Sequence, residues 1–264
     1  MKPKKKFGQH FMSDRNILLD MVHAGNVSKQ DTVLEIGPGT GNLTALLAEH
    51  VKKVFAVEKD RDLIPLLQER FHRNTNVKII YGDILNLLGN RTEKKTSLHR
   101  ERLTQYKVIA NIPYYLTGRL LRLLFEAQNR PSTMVLMIQK EVAKRICAKT
   151  SSPRRAGKES LLSISVKAYG MPEIIRIVPK GAFHPPPTVD SAILAINNIS
   201  DRWFLDHKIE QKAFFLMLKQ AFGQKRKTLK NSLKAQNIGK WENRRPESLT
   251  LEDWAIVYGY RETK

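Results

Sequence analysis

Thr32-Val33-Leu34-Glu35-Ile36-Gly37-Pro38-Gly39-Thr40-Gly41 reads as a short apolar strand running straight into a glycine turn, followed by apolar residues at helical spacing over 43–48. That strand–turn–helix unit sets the pattern for the rest of the chain. Further strands are expected over 54–58, 77–81, 106–110 and 134–138, with helices over 63–71 and 116–127. Pro65 suits the first turn of the helix it helps to start. Strands alternating with helices in this way imply right-handed crossovers and a doubly wound, mostly parallel α/β sheet. Residues 174–178 and 192–196 have no helical pattern between them and are expected as an antiparallel hairpin. Beyond about residue 200 only helical patterns remain. The expected division is therefore 1–199 for the α/β domain and 200–264 for a small all-helical domain.

Composition narrows the function. With 41% apolar residues the chain can bury a real core. It carries 46 Lys+Arg against 25 Asp+Glu, a formal +21, and a chain that basic commonly meets a polyanion. The basic residues cluster: over 2–6, 91–102, 149–158 and 211–241, the last with eight cations and no acid. Phe214, Phe215, Leu218, Phe222 and Leu229 are interleaved with those eight, which suggests an apolar face packed inward and a cationic face turned to RNA. No apolar run reaches the length of a membrane span, and the basic N-terminus lacks the apolar segment of a secretory signal. Cys147 is the only cysteine, which excludes an internal disulfide and a cysteine-based zinc cluster and fits the cytoplasm.

In an open parallel sheet, ligands sit beyond the carboxyl ends of the strands. The residues with chemistry fall there. Gly37 and Gly39 allow a tight turn and close backbone approach to a ligand. Glu58 closes the second strand, where a carboxylate can accept from ribose hydroxyls. Asp83 follows the third, placed to accept from an adenine amine. Asn111-Ile112-Pro113-Tyr114 follows the fourth. An acid just before the glycine turn, Glu35, would repel a pyrophosphate but suits the ammonium of a methionine moiety. S-adenosyl-L-methionine is thus preferred to a dinucleotide. A cofactor pocket beside an amide, a proline and an aromatic ring suggests methyl transfer to the amine of a flat base.

These motifs resemble the rRNA adenine dimethyltransferases, most closely the branch acting on the small subunit. The resemblance runs over essentially the whole chain. It is carried by Phe7-Gly8-Gln9-His10-Phe11, the glycine turn, Gly82-Asp83, Asn111-Ile112-Pro113-Tyr114 and Gln139-Lys140-Glu141-Val142-Ala143. It continues through Phe183-His184-Pro185-Pro186-Pro187-Thr188-Val189-Asp190-Ser191-Ala192 and Gln224-Lys225-Arg226-Lys227-Thr228-Leu229. It implies a Rossmann-like class I S-adenosylmethionine-dependent methyltransferase domain with a small helical domain. The implied activity is two methyl transfers onto each of two adjacent adenosines in a hairpin loop of small-subunit rRNA; the expected partner is an immature 30S subunit, and a monomer is expected. Position by position it places His10, Met12, Gly37, Glu58, Asp83 and Asn111 around the cofactor, and Gln9 is a further candidate there. His10 and Met12 depart from the asparagine and leucine more usual at those places.

The exocyclic amine of adenine is a poor nucleophile because its lone pair is delocalised into the ring. Its enzyme must position the amine and expose that lone pair. The Asn111 side-chain oxygen and the Ile112 carbonyl can accept its two hydrogens. Pro113 restricts Ile112 to an extended shape, which aims that carbonyl. Tyr114 offers a ring for the base, which must be flipped or splayed from its stack, and Phe183 a second aromatic lip before the prolines. Both rings could instead be ordinary core. Three other activities stay open: a 23S rRNA methyltransferase of the antibiotic-resistance type, an RNA-binding assembly factor with secondary catalysis, and a small-molecule methyltransferase. The first typically carries serine at the place of Asn111. The basic interval 90–105 has no assigned role.

Overall fold

The computed structural model describes residue 4 and residues 8–89, 103–148, 158–224, 226–234 and 238–262. The cationic runs over 91–102 and 149–157, and most of 2–6, lie outside them.

Seven strands form one sheet: β2 (Thr32–Ile36), β3 (Lys53–Glu58), β4 (Val77–Tyr81), β5 (Lys107–Asn111), β6 (Thr133–Gln139), β7 (Met171–Val178) and β9 (Ser191–Asn197). Their spatial order is β4-β3-β2-β5-β6-β9-β7. The strands from β4 to β6 pair in parallel, and β9 runs antiparallel to β6. The inner strands read Val-Leu-Glu-Ile, Val-Ile-Ala and Met-Val-Leu-Met-Ile with scarcely a break in burial, as strands covered on both faces must. The edge strand β7 instead shows mostly exposed positions. It lies beside β9 in the sheet, where the hairpin was expected.

The helices α1 (Arg15–Ala24), α2 (Asn42–His50), α3 (Ile64–Phe71), α4 (Ile84–Gly89), α5 (Thr117–Glu126) and α6 (Lys140–Ile146) connect these strands or precede them. Asp14 caps α1 by accepting from the Asn16 and Ile17 amides. Ile17, Leu18, Met21 and Val22 then turn one buried stripe into the core with Leu46, Leu47 and Ile109. A two-stranded pair, β1 (Phe11–Met12) against β8 (Phe183–His184), joins the N-terminal segment to the proline-rich stretch.

The chain divides into two compact units. One comprises residues 1–143 and 173–199, the other 144–172 and 200–264. This differs from a division at 199/200, because the segment 144–172 belongs with the second unit. The reason is α7 (Leu161–Tyr169), whose Tyr169 ring packs on Phe204 and Phe215 and whose hydroxyl donates to Gln211. With α8 (Arg202–Asp206), α9 (Gln211–Phe222), α10 (Leu229–Leu233) and α11 (Leu251–Glu262) it encloses Phe204, Phe214 and a fully buried Trp254.

Gly41 fixes the geometry of the turn before α2. Its φ is +84°, and an added Cβ would lie 2.7 Å from the Phe71 ring and 3.1 Å from Leu67. Gly41→Ala therefore meets both the left-handed backbone penalty and an overpacked contact, together worth about 1–3 kcal/mol. A fall in the urea midpoint at unchanged m-value would register it.

Candidate active site

Strand order reverses between β2 and β5, and that is where an open α/β sheet forms its crevice. Leu34 pairs with Val108, so Gly37 and Asn111, three residues further along each strand, emerge side by side. Gly37 has φ +69°, and a Cβ there would meet only the Asn111 carbonyl oxygen, at 4.0 Å. Close approach to the backbone is thus open on the cleft side. Gly39, at φ +59°, turns the chain so that its N–H donates to Glu58 Oε2 at 3.2 Å. Arg70 clasps the outside of the same turn through the Thr40 carbonyl and Asn42 Oδ1.

One cleft is lined by every residue singled out from the sequence: Gln9, His10, Met12, Glu35, Gly37, Gly39, Glu58, Asp83, Asn111, Ile112, Pro113, Tyr114 and Phe183. Their side chains are committed to different degrees. Glu58 is buried and also receives the Asp60 amide at 2.8 Å and the Lys59 amide, which leaves its carboxylate some acceptor capacity. Burial outweighs those backbone hydrogen bonds and raises its carboxyl above the ordinary value. Asp83 accepts from the Leu85 amide and pairs with Lys59 at 2.7 Å. Although burial pushes the other way, Lys59 and that amide hold Asp83 below the usual carboxylate range. Gln9 spends its amide on the Lys4 N–H and on Asp60. Met12 is buried in the core and meets the turn through its carbonyl, which accepts from Asn42.

Glu35 is almost fully buried, and neither its Oε2 nor Thr44 Oγ1 has a hydrogen-bond partner among the described residues. Burial pushes its carboxyl up to about 8, and the Glu58 carboxylate adds to the rise; the Thr44 hydroxyl and Arg70 oppose it, the hydroxyl without completing a hydrogen bond. The folded protein thus keeps a proton here between about 4.5 and about 8 that the unfolded chain has lost. Through that window rising pH removes stability, by up to about 1.4 kcal/mol per pH unit from this group. Glu35→Gln should flatten this part of the pH–stability curve measured by urea titration.

The other wall is built on β5. Asn111 Nδ2 donates to the His10 carbonyl at 3.1 Å. A carbonyl can only accept, so the amide nitrogen faces His10 and Oδ1 faces away from it. The His10 ring is not simply solvated: it reaches the Pro185 carbonyl at 2.7 Å through Nδ1 and lies stacked at 6.0 Å from Tyr114. The Tyr114 hydroxyl meets Ser191 Oγ at 2.7 Å. Burial raises its pKa. Phe183 is 4% exposed and packs in the main core with Met12 while one part lines the cleft. Sequence reasoning passed over Thr44, Lys59, Tyr115 and Ser191. Ser191 stood inside a quoted motif without a role, Lys59 and Tyr115 stood next to quoted residues, and Thr44 carried no signal.

The site therefore presents a buried carboxyl with a spare oxygen, a second carboxylate with remaining acceptor capacity, open glycine backbone and an oriented amide oxygen. That donor set fits a ligand bearing an ammonium, a diol and an aromatic base, as S-adenosylmethionine does. The family model for "Ribosomal RNA adenine dimethylase" matches residues 1–246. The "Ribosomal RNA small subunit methyltransferase A" of Dehalococcoides mccartyi (strain CBDB1) is 38% identical over 96% of this chain and 87% of its own. That of Clostridium botulinum (strain Okra / Type B1) is 36% identical over 95% and 90%. Among solved structures, a dimethyladenosine transferase from Plasmodium falciparum superposes with a TM-score of 0.77 at 24% identity, covering 96% of this chain and 98% of that one. A 23S rRNA methyltransferase does so with 0.72 at 21%, covering 94% and 98%; these two show the common fold. The chain belongs to the ribosomal RNA adenine dimethylase family.

Proposed function

We propose that this protein transfers methyl groups from S-adenosylmethionine to the N6 amine of two adjacent adenosines in a hairpin loop near the 3′ end of small-subunit rRNA, two to each. It acts on the immature 30S subunit, as a cytoplasmic monomer. The observation that carries this reading is the orientation of Asn111: its nitrogen is held by the His10 carbonyl, beside Gly37, which leaves Oδ1 to accept from an amine.

When bound, S-adenosylmethionine supplies a methyl on a sulfonium, which departs with little assistance. Glu35 receives the ammonium, Glu58 the ribose hydroxyls and Asp83 the adenine amine, once Lys59 yields. Asn111 Oδ1 and the Ile112 carbonyl accept the hydrogens of the target amine and turn its lone pair toward the methyl. Tyr114 supports the face of the flipped base, a contact worth about 1–3 kcal/mol. The N–C bond forms as the S–C bond breaks, and the methylated nitrogen then sheds one proton to solvent; only one N–H remains, so the two acceptors cannot both be used in the second transfer.

A proton balance tests the role of Glu35. Calorimetry at pH 6.5 in buffers of different ionisation enthalpy should show close to one proton released per cofactor bound by the wild type. Glu35→Gln should release close to none. Equal release by both would remove Glu35 from the ammonium site.

The cationic surface supports the choice of an RNA substrate. Lys212, Lys219, Arg226, Lys227, Lys230, Lys234 and Lys240 are exposed, while Phe214, Leu218 and Leu229 are buried. If about four of these cations reach phosphates, RNA affinity should fall roughly 100-fold between 50 and 200 mM salt. A salt-independent affinity would limit them to keeping the protein soluble. Incubation with labelled S-adenosylmethionine and undermethylated small subunits, large subunits or free nucleosides tests the function. Labelling of small subunits alone is expected.

A further inference from the structure

Tyr114 is fixed at three points. Its carbonyl accepts from Thr117 Oγ1 at 3.0 Å. One side of its ring faces the His10 imidazole at an interplanar angle of 23°, and Pro185 holds that imidazole in turn. Its hydroxyl meets Ser191 Oγ at 2.7 Å. The third anchor is the stiffest. Ser191 is fully buried, opens β9 and pairs with Gln139 of β6, so its hydroxyl is placed by two sheet strands and not by a loop.

We infer that Ser191 is a positioning residue for methyl transfer: its hydroxyl pins the plane of the Tyr114 ring on which the target adenine rests, and the pin matters most for the second methyl. This rests on the function proposed above and deepens it. The reason lies in the count of hydrogens. In the first transfer the amine can offer two N–H groups to Asn111 and Ile112, and the stack adds a third restraint. In the second it offers one. The base then depends more on the ring beneath it, and a tilt of that ring costs more alignment between nitrogen and methyl. Ser191 acts through Tyr114 and need touch neither substrate nor cofactor.

The test uses the full chain, undermethylated small subunits and digestion of the product RNA to nucleosides for mass spectrometry. Ser191→Ala and Tyr114→Phe are each expected to slow the second transfer about tenfold and the first no more than about threefold, so that N6-monomethyladenosine accumulates. Cofactor affinity should be unchanged. The double variant should be no slower than either single one, because both remove the same bond. Tyr114→Phe keeps the ring and removes one half-buried atom, so it reads the bond even if Ser191→Ala folds poorly. A wild-type ratio of mono- to dimethyladenosine in Tyr114→Phe overturns the inference, as do multiplying losses in the double variant. Wild-type protein that methylates no small-subunit adenosine would overturn the proposed function, and this inference with it.

Discussion

Asn111→Ala should lower methyl transfer to small-subunit RNA by about 10²–10³-fold, the size of effect seen when one preorganised polar group is removed from a reacting centre. Cofactor affinity should stay within a few fold, because Glu35 and Glu58 sit on other strands and Asp83 just beyond another. The substitution removes the amide oxygen and also frees the His10 carbonyl that holds its nitrogen. Asn111→Asp separates the two losses. It keeps an acceptor for the target amine but sets a carboxylate against the His10 carbonyl, so activity between that of wild type and Ala is expected. Single-turnover rates with labelled S-adenosylmethionine read both. Wild-type turnover in the Ala variant would mean that amine orientation does not limit the reaction.

Glu58→Ala should weaken S-adenosylmethionine binding by about 10²-fold or more. Charge-assisted hydrogen bonds contribute about 1.5–3 kcal/mol each, and two ribose hydroxyls are at stake. The same carboxylate also receives the Gly39 and Asp60 amides, so its loss loosens the glycine turn that approaches the ligand. Glu58→Gln keeps acceptor capacity at one atom and should cost about tenfold. Titration calorimetry gives both constants. At saturating cofactor the residual turnover of Glu58→Gln should approach that of wild type, since the residue does not touch the target amine. An unchanged dissociation constant in Glu58→Ala would place the ribose elsewhere.

These two residues were legible because each stands at a strand end, and strand ends follow from the pattern of apolar runs. The parallel sheet was legible for the same reason: β2, β5 and β6 are buried on both faces and read as short apolar segments, with Glu35 the one charge inside the run of β2. What the sequence hid were pairings between distant segments. Phe11 and Met12 join His184 and Phe183 over two residues each, too short for any period to show. Tyr114 and Ser191 are 77 residues apart, and neither hydroxyl announces the other. The assignment of 144–172 to the helical unit depends on where the Tyr169 ring packs, which no local pattern encodes. In contrast α1 could have been read: Asp14 is a cap residue, and Ile17, Leu18, Met21 and Val22 repeat at helical spacing behind it. His10 was placed at the cofactor by resemblance. Its carbonyl and ring both face the wall that holds Asn111 and Tyr114, which ties it as closely to the target base.

The most direct measurement is a structure of the protein with S-adenosylhomocysteine and an RNA hairpin carrying the target adenosine. The distance to read is that from Asn111 Oδ1 to N6 of the flipped base. A hydrogen bond of about 2.7–3.2 Å, with Nδ2 still on the His10 carbonyl, is the predicted result. An adenine seated in the cleft with its amine well beyond hydrogen-bond reach of both Asn111 and the Ile112 carbonyl would contradict it.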